Sequence, residues 1–274
     1  MLFLIINFFV FFERASQSTA HAKKMKRASK NTVPSVKKAR RMKEPPYTFK
    51  LDEDPNTNAR LSQWSAAAQL SSVFDIFPAP SGDAAIEPKV SGCERLTLVL
   101  DMDETLVHSC LDDTPSDLSL RLENEGTFFS VAVTFRPHLE AFLKFASEHF
   151  EVVLFTAADK MYAEQVLDGI DPERSFLPHR LFRDSCVVVD GAYVKDLRVL
   201  GRDIERTMIL DDSPISFGFQ VDNAIPITPW TGDMADETLP KITEFLRGLL
   251  GVKDVRPTLT SAFELRDILE NRKL

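Results

Sequence analysis

Cysteine is scarce in this chain: three residues in 274, at Cys93, Cys110 and Cys186. So small and odd a number cannot build a disulfide framework. No CxxC or paired Cys/His spacing offers a zinc site. A reducing compartment is the simplest reading. A long apolar run is also missing. MLFLIINFFVFF at the start covers residues 1–12 only, whereas a membrane-spanning helix needs about 20 such residues. The run lacks the basic lead of a secretory signal, although STA at 18–20 would pass as a cleavage site. A short anchor or signal and a dispensable start both stay open. Basic charge is in deficit too, but unevenly. Residues 1–50 hold 12 Lys and Arg against Glu13 and Glu44, while the remaining 224 hold 21 basic against 39 acidic side chains. An acidic body repels polyanions and is a poor nonspecific binder of nucleic acid, so any such contact falls to the basic arm.

What is present falls into four parts. Residues 1–43 are the apolar start followed by a basic arm, KKMKRASKNTVPSVKKARRMK at 23–43, expected to be mostly disordered. Its two clusters, Lys23–Arg27 and Lys37–Arg41, match a bipartite nuclear localisation signal, a nucleic-acid or anionic-lipid patch, or a solvated arm. Residues 44–92 contain six prolines and no sustained period, the texture of a linker. Within them Arg60 to Phe77 carries Leu61, Trp64, Phe74 and Phe77, which reads as a strip packed on the main domain or a docking helix. Residues 93–250 form the main domain, and 251–274 a C-terminal tail.

In the main domain, strands and helices alternate. LTLVL (96–100) is a short buried strand. TFFSVAVTF (127–135) alternates as a strand with one exposed face. Residues 138–150 place apolar side chains at 139, 142, 143 and 146 behind Pro137, the stripe of a helix. EVVLF (151–155) is a strand, 159–168 a helix, 186–189 and 207–210 strands, and 236–250 a helix. The pattern implies an α/β domain with a mostly parallel sheet, whose ligands bind beyond the carboxyl ends of the strands.

Those ends are acidic. Asp101 and Asp103 follow the first strand, Thr156 follows the strand ending at Phe155, and Asp211 and Asp212 follow the strand ending at Leu210. Carboxylates gathered at one edge are costly without a counter-charge. Oxygen-only donors with no His or Cys beside them suit Mg²⁺. Each piece alone is ordinary, and Lys195 alone reads as a surface lysine. The joint placement is what calls for a cation and a phosphate.

VLDMDETLVHS (99–109), RPHLEAFL (136–143), VVLFTAA (152–158), RLFRDSC (180–186), YVKDLRVLGRD (193–203) and ILDDSP (209–214) together resemble the haloacid dehalogenase superfamily. The similarity is to the branch of the RNA polymerase II C-terminal-domain phosphatases, Dullard and a mitochondrial import receptor, over roughly residues 93–250. It implies a haloacid-dehalogenase-like parallel sheet with helices on both faces and a short β insertion near the site, over 111–135. It also implies roles. Asp101 is the nucleophile, Asp103 the general acid and then base, and Thr105 a positioning group. Thr156 holds a phosphate oxygen and Lys195 neutralises nucleophile and phosphate. Asp101, the main-chain carbonyl of Asp103, and Asp212 bind Mg²⁺, with Asp211 supporting Lys195 and the metal. Arg183 lies where relatives carry an arginine near the phosphoserine, and Leu118, Leu120, Phe128, Phe129 and Val131 are candidates for a pocket taking a proline. The small phosphatases commonly have Asn at the position of Asp212; the larger polymerase-tail phosphatase has Asp.

The expected function is therefore Mg²⁺-dependent hydrolysis of phosphoserine and phosphothreonine in a protein, with no small-molecule cofactor, on a disordered serine/proline-rich tail such as that of RNA polymerase II. The expected location is the nucleus, with the nuclear envelope or endoplasmic reticulum membrane, or the mitochondrion, as the alternative. Two alternatives stand: a noncatalytic protein-binding relative of the import-receptor type, and a Dullard-like enzyme anchored at the nuclear envelope or endoplasmic reticulum membrane.

Overall fold

In the computed structural model the described residues are 46–49, 57–74, 77–111, 115–124 and 127–271. The apolar start, the basic arm and the membrane and localisation expectations resting on them lie outside this set. Among the described residues no helix is long and apolar enough to cross a membrane. Residues 46–274 form one unit.

Five parallel strands make the central sheet: β1 (Thr97–Leu100), β5 (Glu151–Phe155), β6 (His179–Leu181), β9 (Thr207–Asp211) and β10 (Ala224–Pro226), in the order β10-β9-β1-β5-β6. Every residue of β1 and β9 is buried, as a strand covered on both faces requires. Pro226 cannot donate to a ladder, and it sits where that matters least, at the end of the edge strand β10. Helices α2 (Leu139–His149), α3 (Lys160–Ile170) and α4 (Thr238–Arg247) flank the sheet. α2 buries Leu139, Phe142, Leu143, Phe145 and Ala146, the stripe read from the sequence plus one aromatic.

Between β1 and α2 lies a separate antiparallel sheet, β2 (Val107–Cys110), β3 (Leu118–Asn124) and β4 (Thr127–Phe135), in the order β2-β4-β3. The insertion thus begins at Val107, earlier than the segment 111–135 suggested. It buries Leu120 and Val131 and leaves Phe128 and Phe129 exposed, with the Arg121 guanidinium over the Phe128 ring. A hairpin, β7 (Val187–Val189) with β8 (Ala192–Val194), carries the chain toward Lys195.

Two segments differ from the texture read for them. The proline-containing stretch 44–92 holds α1 (Thr57–Val73), with Trp64, Ala67 and Leu70 buried. Trp64 meets Phe217 at 6.1 Å, Leu70 packs with Val194 and Phe219, and the Tyr47 hydroxyl donates to the Pro226 carbonyl at 2.9 Å. The tail 251–274 holds α5 (Arg256–Phe263) and α6 (Leu265–Asn271), which bury Leu259, Phe263, Leu265 and Leu269, with Val255 buried just before α5. The strip expected to pack on the main domain, Arg60 to Phe77, does so through Trp64, Leu70, Phe74 and Phe77, whereas no packing was read for the tail, where apolar side chains at helical spacing also dock the chain.

One buried arginine ties the insertion to the rest. Arg136, about 1% exposed, donates through Nε and Nη2 to both carboxylate oxygens of Asp236, at 2.9 and 3.0 Å. It also donates to the carbonyls of Thr105 and Thr228. Burial opposes the charged form of Asp236, but this fork holds its carboxyl below the usual range. Replacing Asp236 with Ala strands a buried guanidinium and is expected to cost about 3 kcal/mol of stability, measured by urea unfolding at pH 7. Because the folded carboxyl titrates low, the ion pair contributes fully above about pH 4. The gap between wild type and variant will therefore close as pH falls below that value.

Candidate active site

The parallel register sets the site. Leu100 pairs with Leu210, so β1 and β9 end side by side, and the residues that follow, Asp101 and Asp211, reach the same sheet edge. The Asp101 N–H donates to the Leu210 carbonyl, continuing the ladder one step past β1. Lys195 arrives from β8, its own N–H donating to the Ser216 carbonyl. Its Nζ lies 2.5 Å from Asp101 Oδ1 and 2.6 Å from Asp211 Oδ2. The lysine is 1% exposed, so it is no surface residue. Burial favours the neutral amine, but the two carboxylates outweigh it and raise the ammonium above the ordinary lysine range.

Oxygens of Asp101, Asp211 and Asp212 all lie within 4.8 Å of one another. Asp211 also accepts from the Ser213 N–H at 2.8 Å. Two carboxylates hold one ammonium and a third, the half-buried Asp212, converges on them, an excess of negative charge. Its consequence is visible in the acids: burial, against Lys195 and with Asp101 beside it, pushes Asp211 up to about 7. A donor set of oxygens alone, overcharged and converging, fits a hard divalent cation.

Asp103 lies two residues on, where the chain turns back toward β2. Burial first, and the charge of Asp101 second, push its carboxyl up to about 7. Its Oδ1 accepts from the Tyr162 hydroxyl at 2.8 Å, and its Oδ2 is buried without a hydrogen-bond partner among the described residues. Tyr162 stands in the first turn of α3, and its oxygen is 2.7 Å from Ser109 Oγ on β2. Burial, and then the charge of Asp103, hold the phenol protonated well above its usual range. Thr105 is fully buried and its Oγ1 also lacks a partner among the described residues.

Thr156 follows β5, buried, its Oγ1 accepting from the Ala158 N–H at 2.9 Å. Arg183 is anchored next to it, Nε donating to the Ala157 carbonyl at 2.7 Å and the guanidinium 5.1 Å from the centre of the Tyr193 ring. Cys186 shares this neighbourhood, but burial pushes its thiol up to about 11. It is no candidate nucleophile near neutral pH.

Asp101, Asp211, Asp212 and Lys195 therefore form one cluster, Asp103 stands beside it, Thr156 lies past the end of β5, next to β1, and Arg183 lies past the end of β6, tied back to Ala157. Sequence reasoning missed three contributors: Tyr162, Ser109, and the Glu104–His108 pair. In the last, both carboxylate oxygens lie 2.9 Å from Nδ1 and raise the imidazole above its usual range, chiefly through that hydrogen bond. Glu104 has φ 61°, a left-handed turn that non-glycine residues seldom take. Its carbonyl accepts from the Trp230 N–H at 2.7 Å.

Comparison with known proteins gives a consistent result. The family described as NLI interacting factor-like phosphatase matches residues 96–256. CTD small phosphatase-like protein 2 of Dictyostelium discoideum is 44% identical over 186 residues, 68% of this chain and 33% of that protein. CTD small phosphatase-like protein 3 of Caenorhabditis elegans is 44% identical, over 67% of this chain and 64% of its own length. Carboxy-terminal domain RNA polymerase II polypeptide A small phosphatase 1 of Homo sapiens is 42% identical, over 63% of this chain and 66% of its own. The matched region thus spans between 33% and 66% of these relatives.

Proposed function

The chain belongs to the NLI interacting factor-like phosphatase family, and from that premise we propose that it hydrolyses phosphoserine and phosphothreonine esters in proteins, through an aspartyl-phosphate at Asp101. One observation carries the reading: a buried lysine bridges Asp101 and Asp211 at 2.5 and 2.6 Å, with Asp212 converging on the same point. A binding module has no use for an overcharged buried cluster at a strand edge.

In this reading Asp101, the main-chain carbonyl of Asp103, and Asp212 hold Mg²⁺, with Asp211 in support; the ion, when bound, neutralises charge on the phosphoryl oxygens. Lys195 keeps Asp101 ionised and oriented and adds a second positive charge. Asp101 attacks phosphorus as a carboxylate and needs no activating base. Asp103, whose carboxyl burial raises to about 7, protonates the leaving serine or threonine oxygen and later takes a proton from the attacking water. Thr105 positions this loop. Thr156 receives a phosphate oxygen, and Arg183, fixed by Ala157 and Tyr193, clamps the phosphate from the neighbouring strand end.

The exposed Phe129 of the insertion shares a strand face with Leu118, Leu120 and Val131, an apolar strip that suits a proline-containing peptide, while the exposed Phe128 stands on the other face. The disordered tail of RNA polymerase II, which names the human relative, is the substrate we propose. The compartment that goes with it is the nucleus, with import resting on Lys23–Arg27 and Lys37–Arg41.

Phosphate release from a panel of phosphoserine peptides tests this. Activity should require Mg²⁺ and fall by about 10³-fold or more in EDTA, returning on addition of Mg²⁺. Full activity in EDTA, or none on any phosphopeptide, would refute the proposal.

A further inference from the structure

The general acid has two oxygens, and they are in different surroundings. Oδ1 of Asp103 accepts from the Tyr162 hydroxyl at 2.8 Å; Oδ2 is buried with no partner among the described residues. Tyr162 carries a single proton and spends it on Asp103, so in its 2.7 Å contact with Ser109 the serine hydroxyl must be the donor. With Tyr162 donating to Oδ1, the chain runs from Ser109 Oγ–H to Tyr162 Oη and from Tyr162 Oη–H to Asp103 Oδ1. An oxygen that already accepts from a phenol is a poor seat for the acid's own proton.

We infer that Tyr162 and Ser109 are positioning residues for the general acid, which place the transferable proton on Oδ2 of Asp103. The inference rests on the phosphatase reading above and deepens it. In the first step the proton on Oδ2 passes to the ester oxygen of the serine. The phosphorus–oxygen bond to that serine breaks, a bond from phosphorus to the Asp101 carboxylate forms, and Asp103 is left ionised. As the charge appears, the bond from Tyr162 to Oδ1 becomes charge-assisted and stronger. The hydroxyl therefore stabilises the transition state more than the ground state, which is the condition for a rate effect. Neither Tyr162 nor Ser109 needs to touch phosphate. Both sit on regular elements: Ser109 lies within β2, and α3 is capped at its start by Asp159, whose side chain accepts from the Met161 N–H.

The test is Tyr162→Phe, which keeps the ring and removes the hydroxyl. Values of kcat/KM report only the steps up to the phosphoenzyme, so they isolate the acid's role. On a phosphoserine peptide, whose alkoxide leaves badly, kcat/KM should fall about 10-fold. On p-nitrophenyl phosphate, whose leaving group needs no proton, the fall should be less than about 2-fold. Ser109→Ala, one bond further back, should show the same asymmetry at smaller size, and it replaces the first variant should that one fail to fold. Equal losses on both substrates, or none, would overturn the inference. Asp103→Asn is measured alongside. An asymmetric loss there with none in Tyr162→Phe sinks this inference alone, whereas no asymmetry in Asp103→Asn sinks the acid–base reading and this inference with it.

Discussion

Changing Asp101 to Asn will abolish phosphate release while leaving the fold in place. The substitution conserves shape, and an Asn oxygen can still accept from Lys195, so the lysine keeps a partner at the position now 2.5 Å away. It also removes one of the three carboxylates that converge on the site, so stability should hold or rise slightly. The chemistry does not survive. An amide oxygen cannot form an acyl-phosphate, and no neighbouring group can replace it: Cys186 is kept protonated by burial, and Asp211 is committed to Lys195 and the Ser213 N–H. The loss in kcat should be on the order of 10⁴-fold or more, as for removal of a covalent nucleophile elsewhere. Phosphate-release kinetics with a circular-dichroism control would show it. Two further readouts go with it. Beryllofluoride with Mg²⁺, which mimics the acyl-phosphate, should raise the melting temperature of the wild type and not of the variant. Phosphopeptide should bind the variant at least as tightly, because one negative charge facing the phosphate has gone. Turnover near the wild-type rate would end the aspartyl-phosphate mechanism.

The residues of this cluster were legible before the fold because they obey a positional rule. Each acid immediately follows a short apolar run, and in a parallel sheet the ends of such runs meet at one edge. LTLVL before Asp101 and TMIL before Asp211 needed no knowledge of the turns between them. Lys195 was legible only through resemblance, since nothing local distinguishes a buried lysine from a surface one. Tyr162 was not legible at all. It contributes one hydroxyl to an aspartate 59 positions away, and on its own helix it reads as one more residue of the packed face. The short strands β6 and β10, three residues each, are too brief to show a period, and Pro226 argues against strand wherever no edge is known to be near. The packing of Arg60 to Phe77 was legible from its aromatics, but the extent of α1 was obscured by composition. Alanine, serine and glutamine fill it, prolines stand on either side, and its apolar contacts at Trp64, Ala67, Leu70 and Phe74 are spaced like a helix but thinly. Their meaning depends on a surface of the domain, around Phe217 and Phe219, that only the fold assembles.

That dependence sets the last expected result. A chain beginning at residue 93 will not give a stable domain, although residues 96–256 cover the whole family match; a chain beginning at residue 46 will. The deletion to residue 92 removes the fully buried Trp64, the buried Leu70 and Tyr47, and the half-buried Phe74 and Phe77, the last with its ring 4.8 Å from that of Phe219. At about 1.5–3 kcal/mol for each large apolar side chain withdrawn from water, their loss is comparable to the whole stability of an ordinary domain, about 5–15 kcal/mol. It also uncovers Phe217 and Phe219, which invites aggregation. The same segment holds the loop that presents Lys195. Arg198 donates to the Pro78 carbonyl at 3.2 Å, lies 4.6 Å from the Phe74 ring centre, and forks onto Asp196, the residue next to the lysine. The Ala85 N–H donates to the Val199 carbonyl, and the Arg202 guanidinium to the Glu87 carbonyl. Residues 46–92 thus belong to the same compact unit as the candidate site, and losing them unseats a charged group of that site as well as a layer of the core. Parallel expression of the two truncations, followed by thermal unfolding and activity on a phosphoserine peptide, decides the matter. The longer chain should match the full-length protein, and the shorter should be insoluble or melt at least about 15 °C lower. A soluble, active chain starting at residue 93 would show that α1 merely rests on the domain.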